Sequence, residues 1–126
     1  MKLAELPLTF RVDRNTRAVR TNARGVLGID DFIEHVHALV KEKVFAYPQL
    51  IDAREARLKI TSSDVRRLVD RIQGLRKMYG TARTAFVTGY PAAFGMMRMY
   101  ATLSEESDPG FAVFRDIGEA EEWILS

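Results

Sequence analysis

From Leu8 to Ala23 the apolar residues fall on every second position, and from Ile29 onward they fall on every third or fourth. That change of period constrains the chain most, because side chains alternate faces along a strand but return to one face of a helix only at 3.6-residue spacing. Leu8, Phe10 and Val12 alternate with Thr9, Arg11 and Asp13, and Asp13-Arg14-Asn15-Thr16 supplies turn chemistry. Val19, Thr21 and Ala23 then alternate with Arg20, Asn22 and Arg24, so the two segments predict an antiparallel hairpin whose outward face carries arginines. Gly25 and Gly28 punctuate the chain, and Ile29, Phe32, Ile33, Val36, Leu39, Val40 and Val44 predict a first helix over about 30–44. Asp30 and Asp31 at its start, and Lys41 and Lys43 near its end, suit the helix dipole.

The two periods go on alternating. Leu50-Ile51 is too short for a helix and predicts a brief central strand ended by Asp52, with a long charged loop beyond. Thr61 and Asp64 have capping-box spacing, Val65, Leu68, Val69, Ile72, Leu75 and Tyr79 form the stripe of a second helix, and Gly80 stops it. Ala85-Phe86-Val87 predicts the next strand, Thr88-Gly89-Tyr90 a turn, and Pro91 the first residue of a third helix. Ser107-Asp108-Pro109-Gly110 breaks the chain before the strand Phe111 to Phe114. Asp116 and Glu119 predict a second capping box, opening a last helix that buries Ala120, Trp123 and Ile124. The order β-β-α-β-α-β-α-β-α predicts one α/β domain over 1–126, a five-stranded mixed sheet with an antiparallel first hairpin, parallel right-handed β-α units and four helices.

Composition supports an ordered chain. Of 126 residues 47% are hydrophobic and 29% charged, a globular balance, and folding at this length removes roughly two-thirds of the unfolded chain's surface from water. Cysteine is absent, which excludes disulfides and thiol nucleophiles and fits a reducing cytoplasm. Met1 to Pro7 lacks the apolar core of a secretory signal, and no apolar run approaches the ~20 residues that cross a bilayer. The net charge is only +2, with no long basic block, so dedicated nucleic-acid binding is not implied.

Several segments, taken in order, resemble the STAS (SpoIIAA-like) family, and within it the small stand-alone proteins grouped with the CRAL-TRIO lipid-binding domains. The carriers are Arg24-Gly25-Val26-Leu27, Leu50-Ile51-Asp52-Ala53-Arg54, Ala85-Phe86-Val87-Thr88, Phe94-Gly95-Met96-Met97-Arg98-Met99, and Val113-Phe114-Arg115-Asp116 through Glu119-Ala120 to Trp123-Ile124. The resemblance implies a SpoIIAA-like fold and one of two functions: a small-molecule, lipid or amphiphile-binding module, or a phospho-switched partner of the anti-sigma-antagonist kind. In the switched branch a serine is modified at the start of the helix after the third strand, within Asp-Ser-Ser-Gly. The stretch here is Thr61-Ser62-Ser63-Asp64, which lacks the leading aspartate and the trailing glycine and leaves Ser62 and Ser63 as the positions to test.

Candidate sites follow from placement. Asp52 and Arg54 after a central strand, with Thr88 and Tyr90 after its neighbour, fall at the carboxyl edge of the sheet, where open α/β folds bind ligands. Met97 and Arg98 on the third helix join them as candidate ligand contacts. The plainer reading of Asp52 and Arg54 is an ion pair at the strand end. His35 and His37 point about 200° apart on one helix, so they cannot share a metal ion through it, and the default for both is a solvent-facing or boundary place. No Gly-x-Ser-x-Gly elbow or other catalytic constellation is visible, and no cofactor is implied. The arginines of the hairpin and of the second helix, Arg66, Arg67, Arg71 and Arg76, read as solvated faces, with Asp70 offsetting Arg66 and Arg67.

The third helix carries Phe94, Met96, Met97, Met99, Tyr100, Ala101 and Leu103 around most of its circumference. Core packing explains such a wrap, and so does a variable apolar pocket or a partner surface. With the last helix short and acidic, the reading is a symmetric homodimer with Met96, Met99, Tyr100 and Leu103 at or near the contact. The functional expectation is a non-catalytic binding or regulatory module for an apolar small molecule or lipid, or for a protein partner.

Overall fold

The alternation at the start of the chain becomes two paired strands, β1 (Leu8–Asp13) and β2 (Ala18–Leu27), antiparallel with Phe10 opposite Thr21. The structure is a computed structural model that describes residues 7–126; the reading of the N-terminus as no signal segment falls, save for Pro7, outside them. After the hairpin come α1 (Ile29–Lys41), β3 (Gln49–Leu58), α2 (Ser62–Tyr79), β4 (Thr84–Val87), α3 (Pro91–Leu103), β5 (Phe111–Phe114) and α4 (Ile117–Leu125). The sheet order is β1-β2-β3-β4-β5, and every pairing after the hairpin is parallel. This is the five-stranded mixed sheet with four helices expected from the pattern.

Two faces follow from strand alternation. Val19, Ile51 and Phe86 point to one side, where they bury against Phe32, Val36 and Leu39 of α1, Val65, Leu68 and Ile72 of α2, and Met97 and Tyr100 of α3. Leu50, Ala85 and Val87 point to the other side and meet Ala120, Trp123 and Ile124 of α4. Full burial of a side chain such as Phe86, 1% exposed, contributes about 1.5–3 kcal/mol. The single helix on the second face packs on β3, β4 and β5, so the arginine-bearing side of the hairpin stays open. Among the described residues no helix is long and apolar enough to cross a membrane.

Two boundaries differ from the sequence reading, each for a local reason. The first helix ends at Lys41, three residues before Val44. Lys43 takes a left-handed φ of 63°, its N–H reaches the Val40 carbonyl, and the Val44 N–H reaches that of Leu39, a Schellman ending that buries Val44 as its apolar plug. The third strand does not stop at Asp52. A register shift puts Asn22 opposite Asp52 and Arg24 opposite Glu55, after which Ala56 is buried while Arg57 faces solvent. The charged stretch read as a loop is thus the solvent side of a two-stranded ribbon that outruns β4. At α4, Asp116 accepts the Glu119 N–H at 2.9 Å, the forward half of the expected capping box.

The apolar wrap of α3 also resolves. The neighbour on its flank is α2, while α4 lies on the opposite face of the sheet. Ala93, Met97 and Tyr100 are buried, and Met96 and Met99 are half-buried against the main core. Tyr100 is 1% exposed, so its place at a dimer contact is withdrawn: its ring and hydroxyl are spent inside the chain. Leu103, 39% exposed, is the member of that set turned outward.

Candidate functional site

The sequence-selected residues do not form one cluster. Asp52 accepts two hydrogen bonds from the Arg54 side chain, Nε at 2.9 Å and Nη2 at 2.8 Å, and one from the Arg54 backbone N–H at 3.2 Å. Hydrogen bonding by the Arg54 guanidinium holds the Asp52 carboxyl below its ordinary range, against the opposing effect of partial burial. Arg24 with Glu55 at 3.6 Å and Arg20 with Glu121 at 3.2 Å form ion pairs on the ribbon and the open sheet face nearby. This is the ion pair of the plainer reading, set within β3 rather than at its end, and its charges are already matched.

Met97 is 2% exposed and faces the core. Thr88 is fully buried, with its N–H on the Phe114 carbonyl and its Oγ1 taking the Tyr90 N–H at 3.3 Å. Thr88 therefore shapes the turn between β4 and α3 and leaves no surface for a ligand. Tyr90, the N-cap of α3, and Arg98 within it remain accessible, and beside them lie three residues that the sequence reading placed at no ligand site.

Those residues are Arg57, Phe94 and Arg115. The parallel strands β3, β4 and β5 deliver their carboxyl ends to one edge, and β4 passes there through Thr88-Gly89-Tyr90 into α3. Tyr90 is the N-cap and makes no side-chain cap bond, while the Phe94 N–H closes the first turn onto its carbonyl, so the two rings stand one turn apart. The Arg57 guanidinium lies 4.4 Å from the centre of the Tyr90 ring. Arg115, just past β5, lies 4.3 Å from the Phe94 ring centre, and Arg98 lies 5.9 Å from it. Stacking on an exposed ring contributes about 0.5–1 kcal/mol and fixes a long cation in place.

Arg14, Arg20, Arg24, Arg54, Arg67 and Arg76 each have a carboxylate within ion-pair distance; among the described residues Arg57, Arg98 and Arg115 have none, as is also true of Arg11, Arg17, Arg66, Arg71 and Arg83. Three uncompensated cations on one edge exceed the net charge of the whole chain, +2. A signal for part of this was present: Tyr90, Phe94 and Arg98 recur at i, i+4 and i+8 on α3. Arg57 and Arg115 come from strands far apart in sequence, and no local pattern carries them.

A second polar group lies in the core. Arg76 and Asp108 pair at 3.0 Å with side chains 6% and 2% exposed, correcting the solvated reading of Arg76. Tyr100 gives its hydroxyl hydrogen to the other Asp108 oxygen at 2.9 Å, and Arg76 Nη1 donates to the Phe45 carbonyl at 3.0 Å. Burial, reinforced by the negative charge of Asp108, pushes the Tyr100 hydroxyl far above its ordinary pKa. His35 is buried as well: Nε2 lies 2.7 Å from Gln49 Oε1, which also accepts the Thr21 hydroxyl at 2.6 Å. Burial lowers the His35 pKa, and the Gln49 hydrogen bond opposes that in part. His37 stays exposed, with Arg71 Nη1 2.8 Å from its Nε2. His35, Gln49, Arg76, Tyr100, Asp108 and Met97 all line one internal cavity of about 40 Å³. That volume is room for two or three water molecules and not for an acyl chain. On α2, Arg67 pairs with Asp64 at 3.7 Å rather than with Asp70.

No protein-family model matches this chain, and no curated protein does. A solved structure does: an uncharacterised protein of the DUF3478 family with a SpoIIAA-like fold from Shewanella loihica PV-4 aligns over 98% of both chains, with a TM-score of 0.61 and 18% identity. The fold is SpoIIAA-like. At that identity the likeness carries the fold alone, and the CRAL-TRIO grouping finds no match. In this SpoIIAA-like frame α2 begins at the same sheet edge as α3, and Ser62 and Ser63 are exposed in its first turn. Thr61 and Asp64 close a reciprocal cap around them, Asp64 N–H to Thr61 Oγ1 at 3.1 Å and Thr61 N–H to Asp64 Oδ2 at 2.9 Å.

Proposed function

We propose that this chain is a non-catalytic binding module whose ligand presents an anionic group to Arg57, Arg98 and Arg115 at the carboxyl edge of the sheet. One observation carries the reading: three stacked guanidiniums without carboxylate partners, at the place where open α/β sheets bind ligands. Stacking pre-orients each planar fork, so little side-chain freedom is lost when an oxyanion arrives. For an amphiphile, the part that this geometry favours is an anionic headgroup on the edge. An apolar tail would need space that the closed core does not offer.

Amide NMR during titration with inorganic phosphate tests the reading. Shifts are expected at Gly89, Tyr90, Arg57 and Arg115, and an edge that stays silent while the hairpin arginines respond overturns it. Native mass spectrometry and lipid extraction of the purified protein test the amphiphile, which fails if nothing co-purifies and no fatty acid or phospholipid raises Tm.

A switch at Ser62 or Ser63 is favoured by their exposure at a helix start, where free N–H groups meet added phosphate. The Asp64 carboxylate in the same turn opposes it. Phosphopeptide mapping from native cells decides, and a well-covered peptide never found modified removes the switch. Self-association through α3 rests on Leu103, with Met96 and Met99 beside it. Sedimentation of the native chain and of Leu103→Glu tests that pairing, which fails if the native chain stays monomeric.

A further inference from the structure

Resting on the anion-binding reading above, we infer that the ligand carries two anionic groups and bridges two separate cationic arms across the β4–α3 turn, as a diphosphate unit does. The strand order separates the arms. Arg57 reaches the turn from β3 on one side of β4, and Arg115 reaches it from the end of β5 on the other. Each arm is fixed on its own ring, Arg57 on Tyr90 and Arg115 with Arg98 around Phe94. The rings that hold the arms stand one helical turn apart, ~5.4 Å along the axis.

The arms are also unequal. Two guanidiniums share the Phe94 arm and one serves the Tyr90 arm. A terminal phosphoryl group, nearly dianionic at neutral pH, suits the first, and a singly charged inner phosphoryl suits the second. A lone carboxylate would leave at least one arm without a partner. The backbone beside the rings is uncrowded: a Cβ placed on Gly89 would meet nothing within 4 Å, and the same holds for Gly95, next to Phe94 in the chain. The N–H groups of Ala92 and Ala93, in the first turn of α3, lie outside the intrahelical ladder and face the same edge.

The test is calorimetric titration of the whole chain with inorganic phosphate and with pyrophosphate at matched ionic strength. Pyrophosphate is expected to bind at least tenfold more tightly. Arg57→Gln should bring pyrophosphate down to the affinity of phosphate and leave phosphate itself nearly unchanged. The double variant Arg98→Gln/Arg115→Gln should lose both, and Arg66→Gln, an exposed arginine on α2, should change neither. Melting curves confirm that each variant is folded. Equal affinity for the two anions, or an Arg57→Gln variant that weakens both alike, overturns the bridge and leaves a single anion site. No binding of either anion overturns the bridge and the site together. A nucleoside diphosphate and an isoprenyl diphosphate, titrated beside pyrophosphate, distinguish a polar from an apolar remainder, and a gain with either supports the diphosphate unit as the anchor.

Discussion

Arg76 on α2 and Asp108 in the α3–β5 connection form an ion pair sealed from solvent, Nε to Oδ1 at 3.0 Å, and Tyr100 of α3 gives its hydroxyl hydrogen to the same carboxylate. The pair ties the α3–β5 connection to α2, beside the apolar packing that already joins α2 to α3. Removing one charge leaves the other buried without a partner, so Asp108→Ala is expected to cost about 3–5 kcal/mol in urea unfolding. Tyr100→Phe should cost about 1.5–3 kcal/mol, the range for a hydrogen bond to a charged group. Replacing both charges, Arg76→Met with Asp108→Leu, should recover most of the single-variant loss. A double variant less stable than Asp108→Ala would show that the ion pair adds more than its desolvation costs.

His35 makes stability depend on pH in a defined window. Burial lowers its folded pKa below the unfolded value of 6.5, so on acidification the unfolded chain takes up the proton first. The stability it contributes is complete above about pH 7 and declines as pH falls through the unfolded value toward the folded one. Unfolding free energy measured from pH 7.5 to 5.0 should therefore fall by up to about 1.4 kcal/mol per pH unit for this one proton. His35→Asn should flatten the profile whatever it does to absolute stability. An unchanged slope in that variant would move the proton uptake to another group.

Two glycines should respond with opposite signs. A Cβ on Gly110 would run into the Ala82 carbonyl oxygen and lie 3.2 Å from the Arg83 Cα, both backbone atoms of the β4 approach. Gly110→Ala is expected to destabilise by about 1–3 kcal/mol through overpacking. Gly74 lies exposed in α2 with nothing within 4 Å of a built Cβ, so Gly74→Ala should stabilise by about 0.5–1 kcal/mol through helix propensity. Paired urea midpoints check both signs.

Strand and helix order were legible because each element is set by a period that neighbouring residues display, as Leu8, Phe10 and Val12 do for β1. The full length of β3 was not, because Arg54, Glu55 and Arg57 face solvent beyond the sheet and look like loop charges when the ribbon partner is unknown. Arg76 and His35 did carry a signal. Arg76 continues the Val65, Leu68, Ile72 stripe and His35 falls three after Phe32, yet residue type outweighed position in reading them. Of the edge arginines, Arg98 was legible on its helix, and the other two lacked even that. Arg57 and Arg115 acquire meaning when parallel pairing sets β3 and β5 on either side of β4, a relationship that depends on the sheet and on no local window.

The end of α1 supplies the last prediction. Lys43 holds φ at 63°, a left-handed conformation that costs an L-residue roughly 1–2 kcal/mol and glycine almost nothing. It stays there because the Schellman bonds, Lys43 N–H to Val40 and Val44 N–H to Leu39, require that turn and because Val44 is buried by it. Lys43→Gly removes the Cβ strain but adds freedom to the unfolded chain and deletes a cation near the negative end of the helix. The net expectation is a gain of about 0.5–1 kcal/mol in urea unfolding. Lys43→Ala deletes the same cation and keeps the Cβ, so it should lose stability relative to the native chain, and Lys43→Val, branched at Cβ, should lose more. A glycine variant no more stable than the alanine variant would mean that the backbone at this position is unstrained.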